Sequence, residues 1–339
     1  MKKIFSLLVV LLLAIMFIVA CAESDASEPS GSAESDQEES HNNEDNNDAD
    51  AANNNGNNDV PTEMVVTHDL GETTVPVNPE KVVVFDNGSL DTLDKLGANV
   101  IAVPQASIPP YLSKYEDSSY TNAGTLFEPD FETIFGLQPD LIIISGRTAE
   151  AYDELADIAP TIFLGVDTTN YMESFKHNTT ILGQIFNQEE FIAAELAKLD
   201  EAVAQLAADA ATTEETALVV LANDGSVSAY GPGSRFGIIH NEFGLTPADQ
   251  NIEVSNHGQN VSFEYILEVN PDYLFVVDRG AIVGGENPAE AMFDNDIMKN
   301  TKVYENGTIF YLDPYAWYTA GGGLESVELM ITQIQEALK

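Results

Sequence analysis

Apolar and polar positions change period repeatedly along this chain, and one composite pattern is written twice. FETIFGLQPDLIIISGR, from Phe131 to Arg147, and FEYILEVNPDYLFVVDR, from Phe263 to Arg279, each read as an amphipathic helix, an Asn/Gln-Pro-Asp turn and an unbroken apolar strand. An apolar strand without polar alternation is buried on both faces, as in parallel sheets covered by helices. Ligands of open α/β sheets bind beyond the carboxyl ends of the strands. The arginine closing each copy therefore falls where two similar lobes face one ligand across a cleft.

The remaining pattern builds two lobes around these copies. EMVVTHDLGETTVPVNPEKVVVFD predicts a hairpin and then a buried strand from Lys81 to Asp86, followed by a helix that Ser89 is placed to cap and that ends at Gly97. A strand at Val100–Val103, a Pro/Tyr/Ser-rich loop, the first repeat copy, a helix at Ala149–Ile158 and a strand at Thr161–Leu164 complete a lobe over residues 61–170. Residues 171–211 contain almost only helix formers and no proline, with Gly183 and Asn187 as the break points. From Gln188 to Ala211 a helix would span about 36 Å, enough to link two lobes, and Phe191, Ala194, Leu196, Leu199, Val203 and Leu206 keep a helical period. A second lobe over 212–339 opens with a strand at Ala217–Leu221. In GPGSRFG the glycines permit a tight turn, Ser234 is placed to cap a helix, and Arg235 falls in its first turn beside unpaired backbone N–H groups, which reads either as a ready anion site or as an ordinary glycine-rich turn with a surface arginine. The second repeat copy, a helix near Met292–Lys299, a strand at Thr308–Leu312 and a helix from Leu324 follow.

Composition sharpens the arginine argument. The chain has ten lysines but only three arginines, Arg147, Arg235 and Arg279, within a formal net charge of −43. A chain with so little general use for guanidinium groups places them where donors must stay charged and match pairs of oxygens. Past residue 60 there are 44 acids against 11 bases, which argues against nucleic acid as a partner and suits the solvated shell of an exported protein. At the amino end, Lys2 and Lys3 precede an apolar run and then Cys21, the sole cysteine. The run is short for a membrane span, and Ile18-Val19-Ala20-Cys21 resembles a lipobox, so residues 1–20 are expected to be a cleaved export signal and Cys21 a lipidated anchor. A lone cysteine rules out an intramolecular disulfide. Residues 21–60, rich in Asp, Glu, Asn and Ser, are expected to be a disordered, self-repelling tether.

Six segments in order, DLGETTVPVNPEKVVVF, ISGR, GPGSRFG, HGQNVSFEYI, VVDRG and WYTAGGGLES, resemble the substrate-binding lipoproteins of iron–siderophore ABC importers, in the branch that takes catecholate siderophores such as petrobactin. The resemblance covers everything after the tether. It implies two α/β lobes with mainly parallel sheets joined by one long backbone helix, the class III periplasmic-binding-protein fold, with the ligand in the cleft and little hinge motion. It carries the family's three pocket arginines onto Arg147, Arg235 and Arg279. His257 and Tyr318 match the positions that complete iron coordination around a tetradentate bis-catecholate, and Trp317 adjoins them. Where relatives read WYLSGGG this chain has Thr319 and Ala320, which bears on how the loop holds Tyr318. By the same resemblance the protein is a monomeric carrier, not an enzyme. It has no intrinsic cofactor, binds a ferric siderophore as ligand and an ABC permease as partner, and is anchored outside the cytoplasmic membrane, in a Gram-positive cell.

The chemistry suits that guest. Iron(III) with three catecholates is a trianion, which three guanidinium groups neutralise, each charge-assisted bond contributing about 1.5–3 kcal/mol. A bis-catecholate leaves two iron positions for an imidazole and a phenolate, and hard Fe(III) favours the phenolate oxygen. Haem, a cobalamin or a hydroxamate chelate on the same fold is the alternative ligand; neutral hydroxamate complexes have less need of three arginines. A hydrolase is disfavoured because neither a G-x-S-x-G elbow nor an H-E-x-x-H helix is present. Since so acidic a surface repels an anion at long range, association is expected to speed up as salt is raised in stopped-flow measurements. A rate falling steeply with salt would show that the positive pocket governs encounter instead.

Overall fold

In chain order, the computed structural model, which describes residues 62–339, begins with a hairpin of β1 (Glu63–His68) and β2 (Gly71–Pro76). Then come β3 (Val82–Val84), α1 (Asn87–Leu96), β4 (Val100–Val103), β5 (Thr121–Asn122), α2 (Phe131–Leu137), β6 (Leu141–Ile144), α3 (Tyr152–Ala156) and β7 (Thr161–Phe163). These strands make a wholly parallel sheet in the order β5-β4-β3-β6-β7. After α4 (Tyr171–Ile185) and α5 (Glu189–Ala210) the second lobe runs through β8 (Thr216–Asn223), β9 (Ser226–Tyr230), α6 (Ile238–Asn241), β10 (Thr246–Pro247), β11 (Gln259–Val261) and α7 (Phe263–Val269). It ends with β12 (Tyr273–Asp278), α8 (Gly280–Val283), α9 (Ala289–Phe293), α10 (Lys302–Asn306), β13 (Ile309–Leu312) and α11 (Leu324–Ala337). Its sheet, β11-β9-β8-β12-β13, is parallel from β8 to β13 and antiparallel at the β9 and β11 edge. The signal, Cys21 and the tether lie outside the described residues.

Both repeat copies fold alike. Asp130 and Ser262 cap α2 and α7, accepting the Thr133 and Tyr265 N–H groups, and Gln138 and Asn270 end the helices in left-handed backbone with φ of 50° and 46°. Such caps contribute about 1 kcal/mol each. The aspartate of each Pro-Asp turn then reaches sideways to the neighbouring central strand. Asp140 accepts the Lys81 N–H at 2.9 Å, just before β3, and Asp272 accepts the Thr216 N–H at 2.9 Å, at the start of β8. The central strands β6 and β12 are thus registered by equivalent side chains. Val82, Ile142, Val219 and Phe275 are fully buried between apolar clusters on the two faces of their sheets.

Two local expectations are corrected. The helix α1 is capped by Asp86, not Ser89; Asp86 Oδ2 accepts both the Ser89 N–H and its hydroxyl at 2.8 Å. More consequentially, the single linking helix expected over 171–211 is two helices. Asn187 takes a left-handed φ of 51°, and the chain reverses there. Gly183 lies against Ile192 and Lys176 pairs with Asp200 at 2.9 Å, so α4 and α5 run antiparallel. The shorter member links the lobes: Tyr171, Met172 and Phe175 of α4 sit in the second lobe's core cluster, whereas Ile181, Leu182 and Ile185 sit in the first lobe's. The buried side chains of the long amphipathic α5 belong to the second lobe's cluster, and its amino end lies against Gly183 of α4.

A second connection fastens α1 to α11. Asp91, 0% exposed, accepts the Glu325 and Ser326 N–H groups at 2.9 and 2.8 Å, closing the amino end of α11. Tyr111 donates its hydroxyl to the same carboxylate at 3.3 Å, and Lys95 pairs with Glu325 at 2.6 Å on the rim. The backbones meet so closely that a Cβ at Gly323 would collide with the Asp91 carboxylate, and one at Gly88 would sit 3.0 Å from the Gly321 carbonyl oxygen. Burial pushes the Asp91 carboxyl up to about 6, against the pull of its N–H bonds and of Lys95. The folded chain therefore holds this proton more tightly than the unfolded one, and the associated stability is lost as pH rises from the ordinary Asp value through about 6. In thermal melts, the stability of the wild type relative to Asp91→Asn is expected to fall between about pH 4 and about pH 7 and then level off. A difference independent of pH would count against a buried titrating carboxylate here.

Candidate functional site

The carboxyl ends of β6 and β12 deliver Arg147 and Arg279 as the repeat predicts, and the turn after β9 delivers Arg235. All three converge on one residue, Tyr318. Arg147 and Arg235 each donate from Nη2 to the Tyr318 carbonyl oxygen at 2.6 Å, and Arg279 donates from Nε to its hydroxyl at 2.8 Å. Their guanidinium carbons lie 5.5, 4.2 and 5.8 Å from the centre of the Tyr318 ring, within cation–π range. Among the described residues every salt bridge is made by a lysine. Three cations therefore meet without a salt-bridged carboxylate, although Asp69, Asp86, Glu150 and Asp167 stand elsewhere on the cavity wall.

Local structure explains how Tyr318 is presented. It lies in a single π-helical turn, Tyr315–Thr319, a wide irregular turn of the kind that often marks functional sites. The two residues that depart from the related pattern hold the turn. Thr319 returns its hydroxyl to the Tyr315 carbonyl at 3.1 Å, and the buried Ala320 gives its carbonyl to the Ser326 hydroxyl at 2.6 Å. Through Ser326 the turn is continuous with the Asp91 connection. Behind Tyr318, Trp317 is 3% exposed and donates its indole N–H to Gln333 at 2.9 Å, so it is mainly a core residue with one edge on the cavity wall.

Arg235 reaches this point differently from the expected way. The helix α6 begins only at Ile238, with Gly237 at its cap, so Arg235 sits in the preceding turn and Ser234, 1% exposed, caps nothing. The cause is the glycine turn itself: Gly233 takes φ 75°, and the Gly237 N–H folds back on the Ser234 carbonyl at 2.8 Å. An anion at Arg235 would meet the side chain, not an ordered helix end.

The cavity in front of these groups has a volume of about 790 Å³, within the range of small-molecule sites. Arg147, Arg235, Tyr318, His257 and Trp317 all line it. Arg279 stands off the wall, held between the Tyr318 hydroxyl and Asn223 Oδ1 at 2.7 Å. Asn223 was not foreseen, although its place at the end of the central strand β8 is the same kind of position that singled out the arginines. His257 is exposed, with its backbone N–H bonded to Ser255 Oγ at 3.0 Å. Among the described residues no group of three or more His, Cys, Asp or Glu side chains is placed to hold a metal ion.

Electrostatics follow from the crowding. Burial and then the neighbouring Arg147 charge draw Arg235 below the ordinary guanidinium value. Burial alone would raise the Tyr318 phenol, but the Arg279 hydrogen bond and the charges of Arg235, Arg279 and Arg147 outweigh it and hold the phenol below its ordinary value. Tyr230, Tyr273 and Tyr311, by contrast, are pushed up to about 12, chiefly by burial.

These features coincide with a known family. The model of the periplasmic binding protein family matches residues 82–316, and the chain belongs to that family. It is 50% identical over 281 residues to the petrobactin-binding protein YclQ of Bacillus subtilis (strain 168), covering 82% of this chain and 89% of the relative. The crystal structure of YclQ superposes with a TM-score of 0.80, covering 82% of this chain and 99% of that one. The ferric-anguibactin-binding protein FatB of Vibrio anguillarum is 32% identical, over 80% of this chain and 87% of its own. The catecholate-siderophore-binding protein VctP of Vibrio cholerae shares 37% identity with a TM-score of 0.77, over 81% and 99% of the two chains. The expected two-lobed binding-protein fold is the one observed.

In a spectrophotometric titration of phenolate formation, Tyr318→Phe is expected to delete the component that ionises at the lowest pH, and Arg279→Met to shift that component upward. Retention of the early component in Tyr318→Phe would assign it to another tyrosine.

Proposed function

We propose that this protein captures a ferric catecholate siderophore outside the cell membrane and delivers it to an ABC permease, without catalysing a reaction. The observation that carries this reading is the meeting of three guanidinium groups on Tyr318 with no carboxylate in salt-bridge contact with any of them among the described residues. In a chain with 56 acidic residues, such a gap in charge compensation selects for an anion brought from outside. Relatives named for petrobactin, ferric anguibactin and catecholate siderophores support an iron chelate as that anion.

Iron in this reading is cargo and arrives with its chelator. A tris-catecholate would present its oxygen rim to Arg147 and Arg235, with Arg279 acting through Tyr318. A bis-catecholate, which leaves two iron positions open, would take His257 and the Tyr318 phenolate. The lowered Tyr318 phenol favours that exchange, since less free energy is needed to remove its proton. The same reading places Cys21 as the lipid anchor, the segment 21–60 as the tether, and a monomer as the working form.

Titration with ferric petrobactin is expected to quench the fluorescence of Trp317, the sole tryptophan, at micromolar ligand or below. Arg235→Ala should weaken binding at least about tenfold, as loss of one charge-assisted contact implies. An unchanged affinity in that variant, or no binding by the wild type, would remove the basis of the proposal.

A further inference from the structure

Resting on the siderophore reading, the geometry points to Phe127 as a specificity residue that stacks on an aromatic ring of the ligand and so separates aromatic from aliphatic iron chelates. Its side chain is 70% exposed, the largest exposure among the large apolar side chains of the described residues, yet it lines the same cavity as Arg147, Arg235 and Tyr318. Among the described residues no aromatic pair includes it.

The loop that carries it is built to hold it there. Thr125 Oγ1 accepts the Phe127 and Glu128 N–H groups at 3.3 and 2.9 Å, and the Thr125 N–H returns to the Glu128 carbonyl at 2.9 Å. Gly124 has φ 107°, and a Cβ there would collide with the Glu128 carbonyl oxygen, so this tight reversal requires glycine. The decisive tie comes from the next residue along from Arg147. The Thr148 hydroxyl, in a side chain 1% exposed, donates to the Leu126 carbonyl at 2.8 Å. Phe127 and Arg147 are therefore attached to one hydrogen-bonded unit and line the same cavity.

That pairing has a chemical counterpart. A catecholate presents anionic oxygens along one edge and an apolar face, so the oxygens can meet guanidinium while the face covers Phe127. An aliphatic hydroxycarboxylate chelate satisfies the cations but has no ring to offer. Offset or edge-to-face aromatic contact adds free energy beyond the apolar area that it buries, which gives discrimination without any change in the arginines. Phe131 and Phe135, also exposed, lie along α2 and do not line the cavity; a Phe127 that belonged with them as a protein-docking face would leave chelate affinity untouched.

The test compares wild type, Phe127→Ala, Phe127→Leu and Phe127→Tyr, each titrated with a ferric bis-catecholamide and with ferric citrate. On the catecholate, the Ala variant is expected to bind about tenfold and the Leu variant about threefold to fivefold more weakly, while Tyr stays within about twofold of wild type. On citrate all four are expected to agree within about twofold. A Leu or Ala variant that binds the catecholate as wild type does, or a loss equal on both chelates, overturns the role of the ring while leaving the siderophore reading intact. If citrate does not bind measurably, the Leu and Tyr variants decide the question on the catecholate alone. No catecholate binding by the wild type overturns both.

Discussion

Like charges gathered at one point are the constraint around which this molecule is organised. Arg147 and Arg235 each lie 2.6 Å from a single carbonyl oxygen, so their donor nitrogens are no more than about 5 Å apart. At an effective dielectric of 20 that costs about 3 kcal/mol of repulsion. The Tyr318 carbonyl, its ring and its hydroxyl offset part of this, and no carboxylate among the described residues forms a salt bridge with these arginines. A scaffold that tolerates such an arrangement has to hold each cation on stiff backbone, because a mobile side chain would swing towards the abundant surface acids.

Stiffness comes from strand ends and from two sets of ties. Within the lobes, Asp140 and Asp272 lock equivalent strands in equivalent register, so each repeat arginine follows the carboxyl end of its strand and reaches Tyr318, one at the carbonyl and the other at the hydroxyl. Between the lobes, α4 is shared by two cores and Asp91 fastens α1 to the amino end of α11. The glycines at 88 and 323 make room for that contact. Because the Tyr318 turn runs directly into α11 through Ser326 and Ala320, the residue that gathers the arginines is held by the same connection that joins the lobes. An arrangement of this kind resists wide opening and favours a cleft formed before the ligand arrives.

A buried carboxylate at this junction has a cost of its own. Asp91 is kept from water, yet it answers two backbone donors that would otherwise be unsatisfied at a helix start. Leaving those donors bare would carry a penalty of about 1–3 kcal/mol each, comparable to that of burying the charge. Polar bonding thus decides the junction's geometry, while the apolar clusters on either side supply cohesion.

Much of this was readable from residue order. Hydrophobic period found the central strands, because continuous apolar runs such as Leu141–Ile144 have no other stable place, and the doubled motif put Arg147 and Arg279 at strand ends. The scarcity of arginine marked the residues for which charge matters most. Short-range geometry was less legible: the capping of α1 turned on which of two nearby polar side chains, Asp86 or Ser89, meets the free N–H groups, and the reversal at Asn187 and the late start of α6 turned on left-handed backbone that several local sequences can adopt equally well. Asp91, Asn223 and the Thr148 tie to Leu126 could not be singled out at all, since their partners lie 234, 56 and 22 residues away. Sequence alone determined which chemical groups are present and which stretches must be buried, for those follow from side-chain type and period. Only the tertiary structure decided that three distant cations share one tyrosine, because that depends on how the sheets are registered and how the two lobes are fastened together.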